Sequence, residues 1–326
     1  MLKLAIIGCG YVAYYYLISM MNYRDLQIVG LYDRNPEKSR KLGVMFKSEV
    51  YSTIEDCINC DCDFVLNLTT PDHFEINKMI LTAGKNLFCE KPITLSVKDF
   101  DELVCIAYDK NLKIISAPAN YLSSYYHILK EHLSSIGNLK KVVATISEKG
   151  IPYHTLQNPL GSIWPIKSEL ETGCNLEHAG YILSLLTELF GDVKEIVKSS
   201  KGLTEVVKKY GDKNYSTLTP DTYRTEMIIG DVNCIMINSI NYDNKKSVVF
   251  HGEKGKLVLE NIWDFNSNIY LNDKMIEREK ENFKQSWVLY MDLMRPLAYF
   301  EKEKKLPMTM QRLRNILKTM LEIQDM

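Results

Sequence analysis

Charge of one sign is the first thing this sequence lacks: 40 Lys and Arg stand against 41 Asp and Glu, a formal net charge of −1. That balance excludes a strongly basic nucleic-acid binder or a polybasic membrane anchor as the default reading. Cysteine is also sparse. Eight thiols in 326 residues fall far below the roughly 8–10% of a disulfide scaffold, so they read as reduced thiols in a cytoplasmic protein. No long apolar run goes uninterrupted. Residues 4–21 carry no charge, but Gly8 and Gly10 break them, Tyr14, Tyr15 and Tyr16 fill the tail, and no A-x-A-like site follows, which argues against a signal peptide or a membrane span. Internal repeats and low-complexity linkers are missing too. What is present, 46% apolar and 25% charged residues, is ordinary globular composition, and the length suits two domains of roughly 100–200 residues each.

Residues 1–118 alternate short β-branched runs with helix-period segments, the pattern of βα units in a parallel sheet. The spacing predicts strands at 2–7, 26–32, 49–51, 63–68, 86–89 and 113–117, six strands of a doubly wound fold. Ser52 with Glu55 predicts a capping box, Pro36 a first helical turn, Gly84 a C-terminal cap and Ser96 the N-cap of a helix over 97–111. After residue 118 the texture changes. Helices at 125–135 and 176–189 flank an irregular stretch over 150–169. Strand-like runs near 141–147, 195–199, 222–229, 233–241, 245–252, 256–260 and 268–271 then predict an α+β domain with a mostly antiparallel open sheet. Two helices, over 283–302 and 308–323, end the chain, and 119–326 is read as one second domain.

Gly8-Cys9-Gly10-Tyr11-Val12-Ala13 fits G-x-G-x-x-A directly after a predicted strand and at the start of a predicted helix. In that context Gly8 permits the tight turn, Gly10 lets the backbone approach a pyrophosphate, and Ala13 lets the helix pack close, as in a Rossmann dinucleotide site. The helix N-terminus adds free N–H groups. Asp33 ends the second predicted strand, 23 residues after Gly10. A carboxylate there accepts from adenosine ribose hydroxyls and repels a 2′-phosphate, favouring NAD. Arg34 keeps NADP open, since a guanidinium beside the same ribose could hold a phosphate.

Glu90-Lys91-Pro92 follows the strand predicted at 86–89, at the carboxyl edge where doubly wound sheets bind ligands. Pro92 fixes the chain and biases Lys91 to extended geometry. Together GCGYVA, Asp33, Thr69-Thr70-Pro71, Ala83-Gly84-Lys85 and Glu90-Lys91-Pro92 resemble the glucose-fructose oxidoreductase/inositol dehydrogenase/rhizopine catabolism (Gfo/Idh/MocA) family, over the whole first domain and, by architecture, the second. The resemblance implies a cofactor site including Gly8, Gly10, Tyr11, Val12, Asp33, Arg34, Thr69, Thr70, Pro71, His73, Glu90 and Lys91. It also makes Lys91 a catalytic and substrate-binding residue. The chemistry of an amine beside a cationic ring agrees: its charged form is disfavoured, so it could exchange a proton with a sugar hydroxyl.

The family's second motif, G-G-G-x-L-x-D-x-G-x-H, is similar to the stretch from Glu171 to Tyr181, with Glu177 at the Asp position and Tyr181 at the His position. A spacing of four places both on one helix face, with His178 turned aside. Glutamate at the Asp position is the departure, and it leaves open whether Lys91, Tyr181 or His178 carries the proton. Trp164, with Lys167 nearby, could stack on a sugar or pack between domains. Asn120 is a candidate hydroxyl ligand, and His73 reads as a helix cap. Cys57, Cys60 and Cys62 lack a clear fourth ligand, so no metal is expected.

The resemblance therefore implies an NAD(P)-dependent oxidoreductase acting on a sugar, polyol or sugar-nucleotide hydroxyl, without nucleic-acid or membrane partners, and by analogy a homo-oligomeric dimer or tetramer. Two rivals stay open: a lyase or glycosidase in which tightly held NAD oxidises and re-reduces one sugar, and a cofactor-binding regulator without turnover.

Overall fold

The computed structural model describes residues 1–70, 72–149, 164–202, 208–210, 213–215, 220–283 and 291–326, with backbone alone at 149, 164–172, 208–210, 213–215, 241 and 242. The chain divides into two compact units. Among the described residues, the first holds Met1–Pro118 together with the chain from Phe283 to Leu317, and the second holds the rest, ending with Lys318–Met326.

In the first unit, strands β1 (Leu2–Ile7), β2 (Leu26–Tyr32), β3 (Phe64–Asn67), β4 (Asn86–Cys89) and β5 (Ile114–Ser116) form a parallel sheet in the order β2-β1-β3-β4-β5. Helices α1 (Tyr11–Met20), α2 (Pro36–Phe46), α3 (Ile54–Asn59), α4 (Phe74–Thr82) and α5 (Val97–Asp109) make the crossovers. Because all five strands run the same way, their carboxyl ends share one edge, which is why residues 8–10, 33, 67–70 and 90–92 gather there. The sheet has five strands and not the six expected. Residues 49–51 make only a single bridge, Val50 to Leu31, through Leu31 N–H to Glu49 and Tyr51 N–H to Leu31, before the next helix begins.

Local punctuation explains the helix ends. Asn35 caps α2 ahead of Pro36, accepting from Glu37 N–H at 3.1 Å. Ser96 caps α5 through Asp99 N–H at 3.1 Å, and Gly84 follows α4 at φ 80°. The capping box expected at Ser52 is displaced by one residue: Thr53 is the cap of α3 and accepts from Asp56 N–H.

The assignment of everything after 118 to the second domain is corrected by the apolar core. Met294 and Leu297, each 0% exposed, pack with Leu4, Ile6 and Phe64 of the first sheet, and Phe300 of α8 (Arg295–Glu303) meets Phe64 edge-on at 5.3 Å. Asp292 anchors this return. It accepts from Ser19 Oγ at 2.6 Å and from the Tyr23 hydroxyl, and pairs with Arg295. Truncating such a buried Met or Leu to Ala typically costs 2–5 kcal/mol, so the C-terminal return is part of the first unit's stability.

The second unit contains α6 (Ser124–His132), α7 (Trp164–Phe190) and a nine-stranded sheet. Its strands are β6 (Leu139–Lys149), β7 (Val193–Gly202), β10 (Thr222–Ile229), β11 (Val232–Ser239), β12 (Asn241–Lys245), β13 (Val248–Gly252), β14 (Gly255–Leu259), β15 (Ile269–Leu271) and β16 (Lys274–Met275). Their order is β16-β15-β14-β13-β6-β11-β10-β7, with β12 paired to β6; β6 and β11 run parallel and the other pairs antiparallel. A short hairpin, β8 (Lys208–Tyr210) with β9 (Lys213–Tyr215), stands apart. Helix α7 begins inside the stretch read as irregular and is broken at Gly173 (φ 77°, ψ 163°), beyond which Leu176, Ala179, Ile182, Leu183 and Leu186 are buried. The last helix, α9 (Met310–Asp325), follows. No helix among the described residues is long and apolar enough to cross a membrane. The uncharged N-terminal run is β1 and α1, apolar because Leu4, Ile6, Tyr16 and Leu17 are core.

Candidate active site

The glycine loop between β1 and α1 separates two reasons for being glycine. Gly8 lies at φ 95°, and a Cβ there would stand 2.7 Å from the Leu68 carbonyl carbon, so the protein itself demands glycine. Gly10 has φ −81° and ψ −162°, which any residue adopts, and a Cβ there would meet nothing within 4 Å. The space beside Gly10 is a cradle at the N-terminus of a ten-residue helix that has no side-chain cap. Uncapped N–H groups and the helix field there suit a phosphate. Tyr11 and Val12, half-buried, open that helix.

Asp33 stands at the end of β2, half-buried, and is tied to the loop. Its Oδ2 accepts from Cys9 N–H at 2.7 Å and its Oδ1 from Asn35 N–H at 2.8 Å. A carboxylate offers about four acceptor positions, so both oxygens retain capacity for ribose hydroxyls. Arg34 is exposed beside it. Cys9 is buried, and burial together with the Asp33 charge pushes its thiol well up, which keeps it neutral.

The next two loops are knit together by a buried polar network. Asn67, ending β3, accepts from Thr69 N–H at 3.2 Å and Oγ1–H at 2.6 Å, and donates to Asn77 at 2.8 Å. Asn77 in turn donates to the Ile93 carbonyl at 3.0 Å. His73 is 1% exposed. Its Nδ1 lies 2.7 Å from the Pro92 carbonyl and its Nε2 3.4 Å from that of Thr69. Burial holds this imidazole below its ordinary pKa, so it is neutral at pH 7 and its one proton belongs on Nδ1, in the shorter contact. His73 occupies the cap position of α4 but its side chain bonds no helix N–H, contrary to the expected cap. It links the Thr69 turn to the Glu90-Lys91-Pro92 turn, and its burial removes it from direct contact with a ligand.

Glu90 is aimed by two donors, the Tyr16 hydroxyl at 2.6 Å and Lys91 N–H at 2.9 Å. Lys91, half-buried, precedes Pro92 through a cis peptide bond. Thr69 and Thr70 are half-buried at the same edge, whereas Pro71 lies outside the described residues. Tyr16, Asn67 and Asn77 were not anticipated. Asn67 left a signal, a polar residue ending the otherwise apolar strand Phe64–Asn67, while Tyr16 was hidden among three tyrosines.

In the second unit Glu177 and Tyr181 are half-buried one turn apart on α7, and His178 is 3% exposed between them. The residue against which His178 and Tyr181 both pack is Trp263, which the sequence reading missed. Its ring lies 5.7 Å from His178 and 5.5 Å from Tyr181. Lys246 Nζ sits 4.6 Å above the indole and 3.1 Å from Glu148, both charges largely buried. Asn120, expected to bind a hydroxyl, is 0% exposed and uses its amide on Tyr125 Oη at 3.0 Å and the Ile262 carbonyl at 2.7 Å, so it fixes the loop that carries Trp263. The side chains of Trp164 and Lys167 lie outside the described residues. Among the described residues no three His, Cys, Asp or Glu side chains are grouped for a metal ion.

Residues 2–117 match the model of an oxidoreductase family with an NAD-binding Rossmann fold, Gfo/Idh/MocA. Scyllo-inositol 2-dehydrogenase (NADP(+)) IolU of Bacillus subtilis is 22% identical over 215 residues, 65% of each chain, so the match spans just under two thirds of that relative. UDP-N-acetylglucosamine 3-dehydrogenase GnnA from Acidithiobacillus ferrooxidans superimposes with a TM-score of 0.75 at 15% identity, covering 99% of this chain and 97% of that one. An NADPH-dependent oxidoreductase, so described, from Desulfitobacterium hafniense gives 0.78 at 17% identity, covering 98% and 93%. At these identities the structural likeness establishes the fold.

Proposed function

We propose that this chain is a Gfo/Idh/MocA oxidoreductase, whose family model matches residues 2–117, and that it catalyses hydride transfer between a nicotinamide dinucleotide and a hydroxyl-bearing carbon of a sugar, polyol or sugar nucleotide. The observation that carries this reading is the empty space beside Gly10, where neither backbone conformation nor packing requires glycine. A ligand's pyrophosphate gives that glycine its reason. Asp33 would hold the adenosine ribose, which favours NAD, and Thr69, Thr70 and Glu90 border the same edge. When bound, the nicotinamide supplies a hydride acceptor or donor. Lys91 holds and moves the proton of the substrate hydroxyl, while Glu90, oriented by Tyr16, fixes the turn that presents it. Tyr181 is read as a proton partner and Glu177 as an orienting carboxylate, and the inositol and sugar-nucleotide names of the relatives support the substrate class.

The test is a panel of inositols, aldoses and nucleotide sugars offered with NAD⁺ or NADP⁺ and followed by the reduced-nicotinamide absorbance. Reduction with at least one member supports the proposal. Sugar conversion without net reduced nicotinamide would favour an internal oxidation and re-reduction, and binding without any conversion would favour a regulator.

A further inference from the structure

Cys57, Cys60 and Cys62 take no part in the proposed reaction; Cys57 lies within α3, and Cys60 and Cys62 sit between α3 and β3 at the amino edge of the first sheet, opposite the glycine loop. Cys60 ends α3, and Cys62 N–H donates to its carbonyl at 2.8 Å. That i to i+2 bond closes a three-residue turn, drawing the two cysteines together. Lys85 pins the turn, its Nζ donating to the Cys60 carbonyl at 2.7 Å and that of Cys62 at 3.3 Å, which also sets a cation beside the pair. Tyr51 forms the other wall. A Cβ on Gly30 would lie 2.6 Å from its ring and 3.5 Å from Cys60 Sγ, so phenol and thiol pack over the same glycine. Cys60 is partly exposed, whereas Cys57 and Cys62 are buried.

The groups around Cys60 oppose one another. The neighbouring Cys62 thiol first, and then the Lys85 charge, hold its thiol below the ordinary value, against burial and the charge of Glu49, to which the Tyr51 hydroxyl donates at 3.2 Å. Cys62 is pushed up by its hydrogen bond to Cys60 and by burial, Cys57 up to about 12 by burial, and Tyr51 up to about 12, chiefly by burial. The pair therefore sets a partly exposed thiol that ionises more readily than an ordinary one next to a buried thiol held protonated, the arrangement of an attacking and a resolving cysteine.

We propose that Cys60 and Cys62 form a peroxide-reactive dithiol, a modification site separate from the glycine loop, whose co-reactant is a small hydroperoxide. The Cys60 thiolate attacks a peroxide oxygen. An S–O bond forms, the O–O bond breaks and the leaving oxygen takes a proton to depart as water or alcohol, so that sulfur is oxidised to a sulfenic acid and the peroxide is reduced. Cys62 sulfur then attacks Cys60 sulfur. The S–S bond forms, the S–O bond breaks and water leaves with the Cys62 proton.

The experiment treats the full-length protein with one equivalent of hydrogen peroxide, followed by intact mass and peptide mapping. The expected product has lost the mass of two hydrogen atoms and carries a Cys60–Cys62 linkage. Cys62→Ser should instead accumulate a dimedone-reactive sulfenic acid on Cys60, and Cys60→Ser should abolish the mass loss. Without any variant, alkylation of Cys60 in the wild-type chain should titrate with a midpoint below the roughly 8.5 of an ordinary thiol, and the peroxide should oxidise Cys60 before the exposed Cys105. Oxidation beginning at Cys105, a linkage that survives Cys60→Ser, or alkylation of Cys60 with an ordinary thiol midpoint would each overturn the proposal.

Discussion

At the residue scale, the two glycines of the loop make opposite demands. Gly8→Ala would place a methyl against the Leu68 backbone at a left-handed φ, and a strained conformation of that kind typically costs of order 1–3 kcal/mol before the clash is counted. A urea melt should therefore show the variant destabilised by at least that amount. Lys91 makes a different prediction. A positioned proton-transfer group contributes about 10²–10⁴-fold to rate, so Lys91→Met should lower turnover on an identified substrate by roughly that factor and leave NADH affinity nearly intact. Full activity would remove Lys91 from the chemistry. Tyr181→Phe separates a proton carrier, whose loss matches that of Lys91, from an orienting residue, whose loss raises KM. Asp33 predicts tighter calorimetric binding of NADH than of NADPH, and the reverse order would make Arg34 a phosphate ligand.

At the element scale, the site rests on turns that the buried network holds in place. His73 joins two of them, and its pKa is lowered in the folded chain by burial. The unfolded chain then binds the proton first as pH falls. Stability is complete above about pH 6.5, the ordinary histidine value, and declines below it by up to about 1.4 kcal/mol per pH unit until the folded pKa is passed. Denaturation curves from pH 8 to 5 should show that decline in the wild type and a shallower one in His73→Asn; parallel curves would refute the assignment. The ends of β1, β2 and β4 were legible because each is an apolar run stopped by glycine, aspartate or glutamate. The bridge at 49–51 was not, since a β-branched residue between turns reads alike whether it pairs once or throughout a strand. Trp263 left no signal either, because what gives it significance is its contact with residues roughly eighty positions away on α7 and with Lys246.

At the scale of the whole molecule, the first unit is completed by a segment from the far end of the chain. Phe283–Leu317 supplies Met294 and Leu297 to its core, and Arg314 grips Asp101 through two bonds of 2.6 and 2.7 Å. Hydrophobic periodicity shows that a helix exists but not which core it joins, so sequence order alone assigned this segment to the second domain. Residues 1–118 expressed alone should consequently melt well below the full chain, and Met294→Ala should cost about 2–5 kcal/mol. An isolated 1–118 fragment as stable as the whole protein would contradict that division. The central claim concerns the ligand at the glycine loop, and it is tested most directly by calorimetric titration of NADH into the wild type and Gly10→Val, whose backbone conformation suits valine. The account predicts binding to the wild type and at least about tenfold weaker binding to the variant, about 1.4 kcal/mol, at an unchanged melting temperature. Equal affinity in both proteins would show that the dinucleotide does not lie against Gly10.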